Sequence, residues 1–393
     1  MKTNWQTKKL GEVCDFVRGP FGGSLTKSIF KKDGYAVYEQ QHAIYNQFDN
    51  SRYFIDEKKF KEMERFELKS GDLIMSCSGT MGKIAIAPKN IKKGIINQAL
   101  LKLTPSKQIS NEFLKLWMQS KGFQDSLKKI SKGVAIKNVA SVKILKQIKI
   151  PLPSLSEQHR IVKILDEVFE KIEKAKENAG KNLQNTKELF ESYLQSVFAN
   201  PGKDWEEKSL GDVCDLYQGI AINAKTKHAL VKKSNLPLLR IKDLKNNTEE
   251  QYIDPNNYPK NALVNESDII YTRTGSLGLV FRGRKGILHN NSFKIVPKSV
   301  LTKDYLFIWL QNPIFKSKIL DLAGRVAQPD ITHAIFKIQK IDIPSIPEQK
   351  SIVAKLDALS AETKKLEAIY KQKIADLEEL KKSVLKKAFN GEL

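Results

Sequence analysis

The chain repeats itself, and this constrains its fold more than any other feature. Leu10-Gly11-Glu12-Val13-Cys14-Asp15 returns as Leu210-Gly211-Asp212-Val213-Cys214-Asp215, with Trp5 echoed by Trp205. Gly71-Asp72-Leu73-Ile74 through Gly79-Thr80-Met81-Gly82 returns as Ser267-Asp268-Ile269-Ile270 through Gly275-Ser276-Leu277-Gly278. Phe113-Leu114 with Trp117-Met118-Gln119 returns as Tyr305-Leu306 with Trp309-Leu310-Gln311. Pro153-Ser154-Leu155-Ser156-Glu157-Gln158 is matched by Pro344-Ser345-Ile346-Pro347-Glu348-Gln349, and Ser192, Leu194 and Phe198 by Ser383, Leu385 and Phe389. Five matches in one order, with offsets drifting only from 200 to 191 residues, define one unit of roughly 195 residues used twice.

Charge divides each copy into two parts. Residues 1–150 carry 28 basic and 13 acidic side chains, a net of +15, and residues 201–343 carry 22 and 15, a net of +7. Residues 151–200 are near neutral with 7 basic and 8 acidic, and residues 344–393 carry 10 and 8. A uniformly lysine-rich composition would have made all four blocks basic. Hydrophobic residues make up 41% of the chain, enough for real cores and too many for a disordered basic tail. No apolar run approaches the ~18 residues of a bilayer span. The opening MKTNWQTKKLGEV lacks the apolar segment of a signal peptide. Three cysteines cannot staple a chain of this length, which fits a reducing compartment. The expectation is a soluble, cytoplasmic protein with a polyanionic partner and no membrane contact.

The near-neutral blocks read as long helices. Ile161, Leu165, Val168, Ile172, Ala175 and Ala179 continue through Leu183, Thr186, Phe190, Tyr193 and Val197. The second copy offers Ile352, Leu356, Leu359, Thr363, Leu366, Tyr370, Ile374, Leu377, Leu380 and Val384. Alternating steps of four and three give the period of a coiled-coil seam. Runs of about 40 residues make rods of roughly 60 Å. Pro153 and Pro347 stand just ahead of the helices, and Ser154 or Ser156 can cap the first. One narrow stripe per helix wants one partner, so the two helices are expected to pair antiparallel and hold the basic parts apart. Those parts mix short strands (Asp72–Ser76, Lys83–Ala87 and Leu100–Leu103; Asp268–Thr272, Leu279–Arg282 and Phe293–Val296) with one helix each, over 111–130 and 303–322. The fold class is α+β: two similar mixed domains separated by two long helices in an antiparallel coiled coil. The expected division is 1–152 and 201–343 for the two domains, 153–200 for the central helix and 344–393 for the C-terminal one.

Catalytic signatures are missing. There is no phosphate-binding G-x-x-x-x-G-K-[ST] or G-x-G-x-x-G, no H-E-x-x-H and no C-x-x-C, and the five histidines are scattered. Cys14 and Cys214 sit at equivalent apolar positions as core residues, and Cys77 is replaced by Arg273 in the other copy. Duplex DNA is a polyanion whose phosphates supply most non-specific affinity, and two similar basic heads on a spacer suit two half-sites. Because the heads differ in sequence, the target is expected to be bipartite and asymmetric.

The run Ile150-Pro151-Leu152-Pro153-Ser154-Leu155-Ser156-Glu157-Gln158, its shortened copy Ile343-Pro344-Ser345-Ile346-Pro347-Glu348-Gln349, and the repeated Trp-x-x-x-x-Leu-Gly and Gly-x-x-Gly segments carry a resemblance. Over essentially its whole length the chain resembles the specificity subunit of type I restriction–modification systems. The resemblance implies two target recognition domains joined by helical regions that dock two methyltransferase subunits, with two motor–nuclease subunits able to join. It implies no cofactor and no catalysis in this chain; S-adenosylmethionine and ATP with Mg would be held by partner subunits. The other readings of the residues are a standalone nuclease or methyltransferase, and a coiled-coil adaptor for RNA or protein.

Comparing the copies selects candidate DNA-binding residues: matched loops with differing polar side chains. After similar strands, Glu39, Gln41 and His42 align with Arg240 and Lys242, types that bond base edges or simply solvate a strand end. Ser78, Thr80 and Lys83 face Arg273, Thr274, Ser276 and Arg282 in turns that either approach a phosphate or merely reverse the chain. Phe21 (a wedge or a lid), Ser24 and Lys27 match Asn223, Lys225 and Lys227. Lys137 and Asn138, with Arg325 and Gln328, complete the set.

Overall fold

The computed structural model describes residues 5–21, 23–130, 142–324 and 329–393. The chain divides into two compact units, one of residues 1–179 with 372–393 and one of residues 180–371. Each unit therefore contains one basic head and half of each long helix.

In the first unit a four-stranded antiparallel sheet runs in the order Cys14–Arg18, Leu100–Pro105, Leu73–Ser76, Ile84–Ile86. A three-stranded sheet of Phe54–Ile55, Tyr35–Tyr38 and Gly94–Ile96 lies in the same head, its last two strands parallel. Leu73–Ser76 is buried at all four positions. Leu73 and Met75 join a core with Leu101, Phe113, Trp117 and Phe123, whereas Ile74 joins a second core with Tyr38, Ala85 and Ile96. An unbroken apolar strand is what burial on both faces requires.

The second unit repeats the scheme. Cys214–Gln218, Ser292–Pro297, Ile269–Thr272 and Val280–Phe281 form the four-stranded sheet. Leu238–Leu239 runs parallel to Gly286–Leu288, with Leu263–Val264 on the other side. Register is preserved: Leu73 faces Leu103 as Ile269 faces Ile295, and Cys14 faces Pro105 as Cys214 faces Pro297. All three thiols are buried, which pushes Cys14 and Cys214 up to about 12 and Cys77 up to about 11. At neutral pH they are protonated packing residues.

Each head is closed by a strand pair and a buried glutamine. Gln6–Lys9 pairs antiparallel with Lys149–Leu152, and Glu206–Ser209 with Lys340–Ile343. Just beyond, the Glu-Gln of the repeated motif enters the long helix. The Gln158 amide donates to the carbonyls of Gln108 and Pro153, both at 3.0 Å, and accepts from the Ser110 N–H at 2.8 Å. Gln349 donates to Val300 (2.9 Å) and Pro344 (3.0 Å) and accepts from Thr302 (2.8 Å). Both side chains are fully buried, so these bonds satisfy groups that water cannot reach.

The long helices are Leu155–Ala199 and Ile346–Phe389. In the first unit they run antiparallel: Arg160 donates to the Leu393 carbonyl at 2.9 Å, Glu173 pairs with Lys381 at 2.8 Å, and Lys381 lies over the Phe169 ring. In the second, Leu194 and Phe198 share a core with Leu356. Three details differ from the seam expected. Leu194 and Phe198 are buried where Tyr193 is exposed and Val197 only flanks the same core, because a straight helix of 3.6 residues per turn drifts off a 3.5 repeat and the head's core takes up the shifted face. Leu366 and Leu380 are exposed. Pro347 lies inside the first helical turn, where a missing N–H is harmless.

The single helix expected in each head is two. Asn111–Gln119 and Lys121–Ile130 are separated by extended Ser120, and Lys303–Trp309 is separated from Pro313–Ala323 by Asn312, whose side chain accepts from Ile314 N–H at 3.0 Å. Pro313 has no N–H to continue the earlier helix.

Candidate nucleic-acid interface

Among the described residues, the candidate turns of each head and the loops before them meet at one end of its sheets. In the first head, Cys77 N–H donates to Ala99 at 2.8 Å, Asn97 N–H to Tyr38 at 2.9 Å and Gly19 N–H to Leu100 at 3.0 Å. A Cβ on Gly19 would lie 1.8 Å from the Asn97 carbonyl oxygen, so only glycine permits this approach. In the second head, Arg273 N–H donates to Asn291 at 2.9 Å, Asn290 N–H to Ile220 at 2.8 Å and His289 N–H to Leu239 at 3.2 Å.

The glycine-bearing turns are pinned by one hydroxyl in each copy. Ser76 Oγ donates to the Thr80 carbonyl at 2.6 Å and accepts from Lys83 N–H at 3.0 Å. Thr272 Oγ1 donates to the Ser276 carbonyl and accepts from Leu279 N–H at 2.8 Å. Gly79, Gly82, Gly275 and Gly278 all take positive φ, between 57° and 76°. Each turn is a rigid frame that presents Ser78, Thr80 and Lys83, or Arg273, Thr274 and Ser276.

Beside each turn stands a short helix, Gln40–Tyr45 or Ile241–Asn246, ended by Asn46 and Asn247, both at φ 53°. Gln40 donates its amide to the Ser78 and Thr80 carbonyls, and Lys245 donates to Ser276 Oγ at 2.8 Å. The helix starts are held differently. Glu39 receives Arg52 at 3.1 and 3.2 Å, while His42 is buried and accepts from Glu39 N–H at 2.8 Å. Burial pushes His42 below its ordinary value. In the second head Arg240 is bound by Asp243 through Nε (2.6 Å) and Nη2 (3.1 Å), and by Glu250 through Nη2 (3.0 Å). Burial pushes the Asp243 carboxyl up, but hydrogen bonds from Arg240 and Thr248 outweigh it, and its pKa lies below the ordinary value. Lys242 is paired with Glu250.

Gln41 is part-exposed within hydrogen-bond range of Glu39. Phe21 is 88% exposed, with Ser24 and Lys27 exposed beside it. Asn223 is tied into its own loop, accepting from Lys225 N–H at 2.9 Å, and the side chains of Lys225 and Lys227 face solvent. Arg282 is placed elsewhere: it pairs with Asp304 at 2.6 Å, stacks on Phe307, and borders a cleft lined by Phe190, Leu194 and Leu356. Lys137, Asn138, Arg325 and Gln328 lie outside the described residues. Sequence reasoning passed over Gln40, Asn97-Gln98 and His289-Asn290-Asn291, which the fold brings to the same end. The signal at 97–98 and at 289–291 was a short polar run lodged between two apolar strands.

Among the described residues, no group of three or more His, Cys, Asp or Glu side chains could hold a metal ion, and no helix is long and apolar enough to cross a membrane. Two scaffolds of one design, each presenting a different polar end face, define a duplicated recognition protein. The family model for the type I restriction modification DNA specificity domain matches residues 2–180 and again 202–378, and the chain belongs to this family. Its role is DNA sequence specificity, with catalysis in partner subunits.

The chain is 24% identical to the type I restriction enzyme MjaVIII specificity subunit of Methanocaldococcus jannaschii, over 99% of this chain and 93% of that one. It is 23% identical to the EcoKI specificity subunit of Escherichia coli K12, over 99% and 89%. Among solved structures it shares the fold of the HsdS subunit from Thermoanaerobacter tengcongensis (TM-score 0.66, 21% identity, 99% and 97% covered). A chain solved in a study of complex assembly and conformational transition of the type I R-M system aligns with TM-score 0.79 at 20% identity, over 99% and 98%.

Proposed function

We propose that each head reads one half of a bipartite, asymmetric duplex target, while the paired helices set the unspecified gap and dock two methyltransferase subunits. The recognition domains are residues 1–152 and 201–343, and the accessible side chains at the end faces, among those from Phe21 to Lys83 in the first head and from Asn223 to Ser276 in the second, make the DNA contacts. Two motor–nuclease subunits complete the restriction assembly. S-adenosylmethionine and ATP with Mg belong to those partners, and the complex works in the cytoplasm. The observation that carries this reading is the pair of hydroxyl-pinned turns: the same frame in both heads, with Ser78, Thr80 and Lys83 presented by one and Arg273, Thr274 and Ser276 by the other. A common scaffold with divergent polar side chains is what reading two different sequences requires.

The test is a genome-wide map of methylated adenine in cells carrying the chain with its methyltransferase partners. A bipartite motif that vanishes on deletion is expected. Unaltered methylation with partners present refutes the reading. Exchanging residues 1–152 for another head should replace one half of the motif only.

A further inference from the structure

We infer that Arg273, held by Asp330, is the guanine-reading side chain of the second head; this rests on the specificity role proposed above. Asp330 receives Arg273 Nε at 2.8 Å and also pairs with Nη2, which occupies the side edge of the guanidinium. The remaining edge, Nη1 with the second N–H of Nη2, makes no hydrogen bond among the described residues. That edge carries two parallel donors, the pattern that matches O6 and N7 of guanine in the major groove. The backbone is fixed as well: Arg273 N–H donates to Asn291, and its carbonyl accepts from Ile331 N–H at 3.0 Å. A guanidinium anchored at both backbone and side chain loses little freedom when a base binds.

Arg240, the other arginine of this end face, is a poor rival. Asp243 and Glu250 together take Nε and both donors of Nη2, so its end edge cannot offer two parallel N–H groups. Its place is at the start of the short helix, as a structural tie. In the first head the position of Arg273 is filled by buried Cys77, whose Sγ lies 3.4 Å from the Met75 carbonyl. The two heads therefore differ at this point in charge, donor count and reach, and one base cannot serve both.

The experiment selects bound sequences from a randomised duplex DNA library, using the full chain assembled with its methyltransferase subunits. A G·C pair is expected at a defined position of the half-site read by the second head. Arg273→Ala should lower discrimination at that position about 5- to 100-fold and leave every other position unchanged. Arg273→Lys keeps the charge and loses the fork, and should relax the same position, which guards against a misfolded alanine variant. Three outcomes overturn the assignment: unchanged preferences, relaxation at an A·T pair, or a uniform loss of affinity with a shallower salt dependence, which marks a phosphate contact. If the unsubstituted complex selects no bipartite sequence at all, the specificity role fails first and this assignment with it.

Discussion

Gln158 and Gln349 show how much one side chain can decide. Each makes three hydrogen bonds in a fully dry setting and joins a head to its helix. Replacing either by leucine strands a buried N–H and two carbonyls. We expect each such change to cost about 2–3 kcal/mol, measured as a lower denaturant midpoint, with the two sites close to additive because they lie in different units. Buried and half-buried histidines contribute a pH response near neutrality. Burial lowers His42 in the first unit, and His289 and His333 in the second, below the ordinary value of 6.5. An imidazole that is harder to protonate when folded contributes stability that is complete above 6.5 and is lost as pH falls through the folded value. The urea midpoint is therefore expected to drop between pH 7.5 and 5. His42→Asn, which preserves an acceptor for Glu39 N–H, should flatten the drop in the first unit.

At the scale of elements, the proposed spacer role falls on the long helices Leu155–Ala199 and Ile346–Phe389. Seven residues inserted between Ala175 and Leu183, with seven added opposite in the C-terminal helix, keep the seam in phase and lengthen the rod by about 10 Å. The methylated motif should then gain about three unspecified base pairs while its specified bases stay the same. A change in base identity would mean that the helices do more than separate. The helices, the repeat and the buried strands were legible because each leaves a period: 3.5 for the seam, near-continuous apolarity for Leu73–Ser76 and Ile269–Thr272. The breaks were less visible. Extended Ser120 ends one helix and the Asn312 side chain caps the start of another, and a helical spacing of apolar residues continues straight across both. The switch from Tyr193 to Leu194 depends on which face the second head's core takes up, a tertiary choice with no local mark.

At the scale of the whole molecule, the duplication is a separation of duties. Positions alike in both copies, such as Gln158 and Gln349, hold the frame, while the turns after Ser76 and Thr272 carry side chains that differ. This made the turns and the helix starts findable from sequence, since comparing the copies isolates them. It could not sort them. Arg240, Arg273 and Arg282 look equivalent in sequence, yet one ties a helix start, one offers an open edge, and one stacks on Phe307 beside a cleft. Which carboxylate lies opposite each arginine is set by partners up to 57 residues away, as with Asp330. The distribution of charge also belongs to this scale. With a net of +15 against +7, the first head is expected to supply more of the ionic-strength dependence of binding, and neutralising Lys27 and Lys83 should shallow the salt slope of the full complex.

The hydroxyl-pinned turn has a consequence for engineering. Ser76 and Thr272 secure their loops solely through main-chain atoms, at Thr80 and Lys83 in one copy and Ser276 and Leu279 in the other. Neither hydroxyl bonds a side chain at the tip, although Ser276 Oγ accepts from Lys245 of the neighbouring helix. Combinatorial libraries over 78, 80 and 83, and over 274 and 276, can therefore be screened for new sequence preferences with the anchoring hydroxyls and the four glycines held constant.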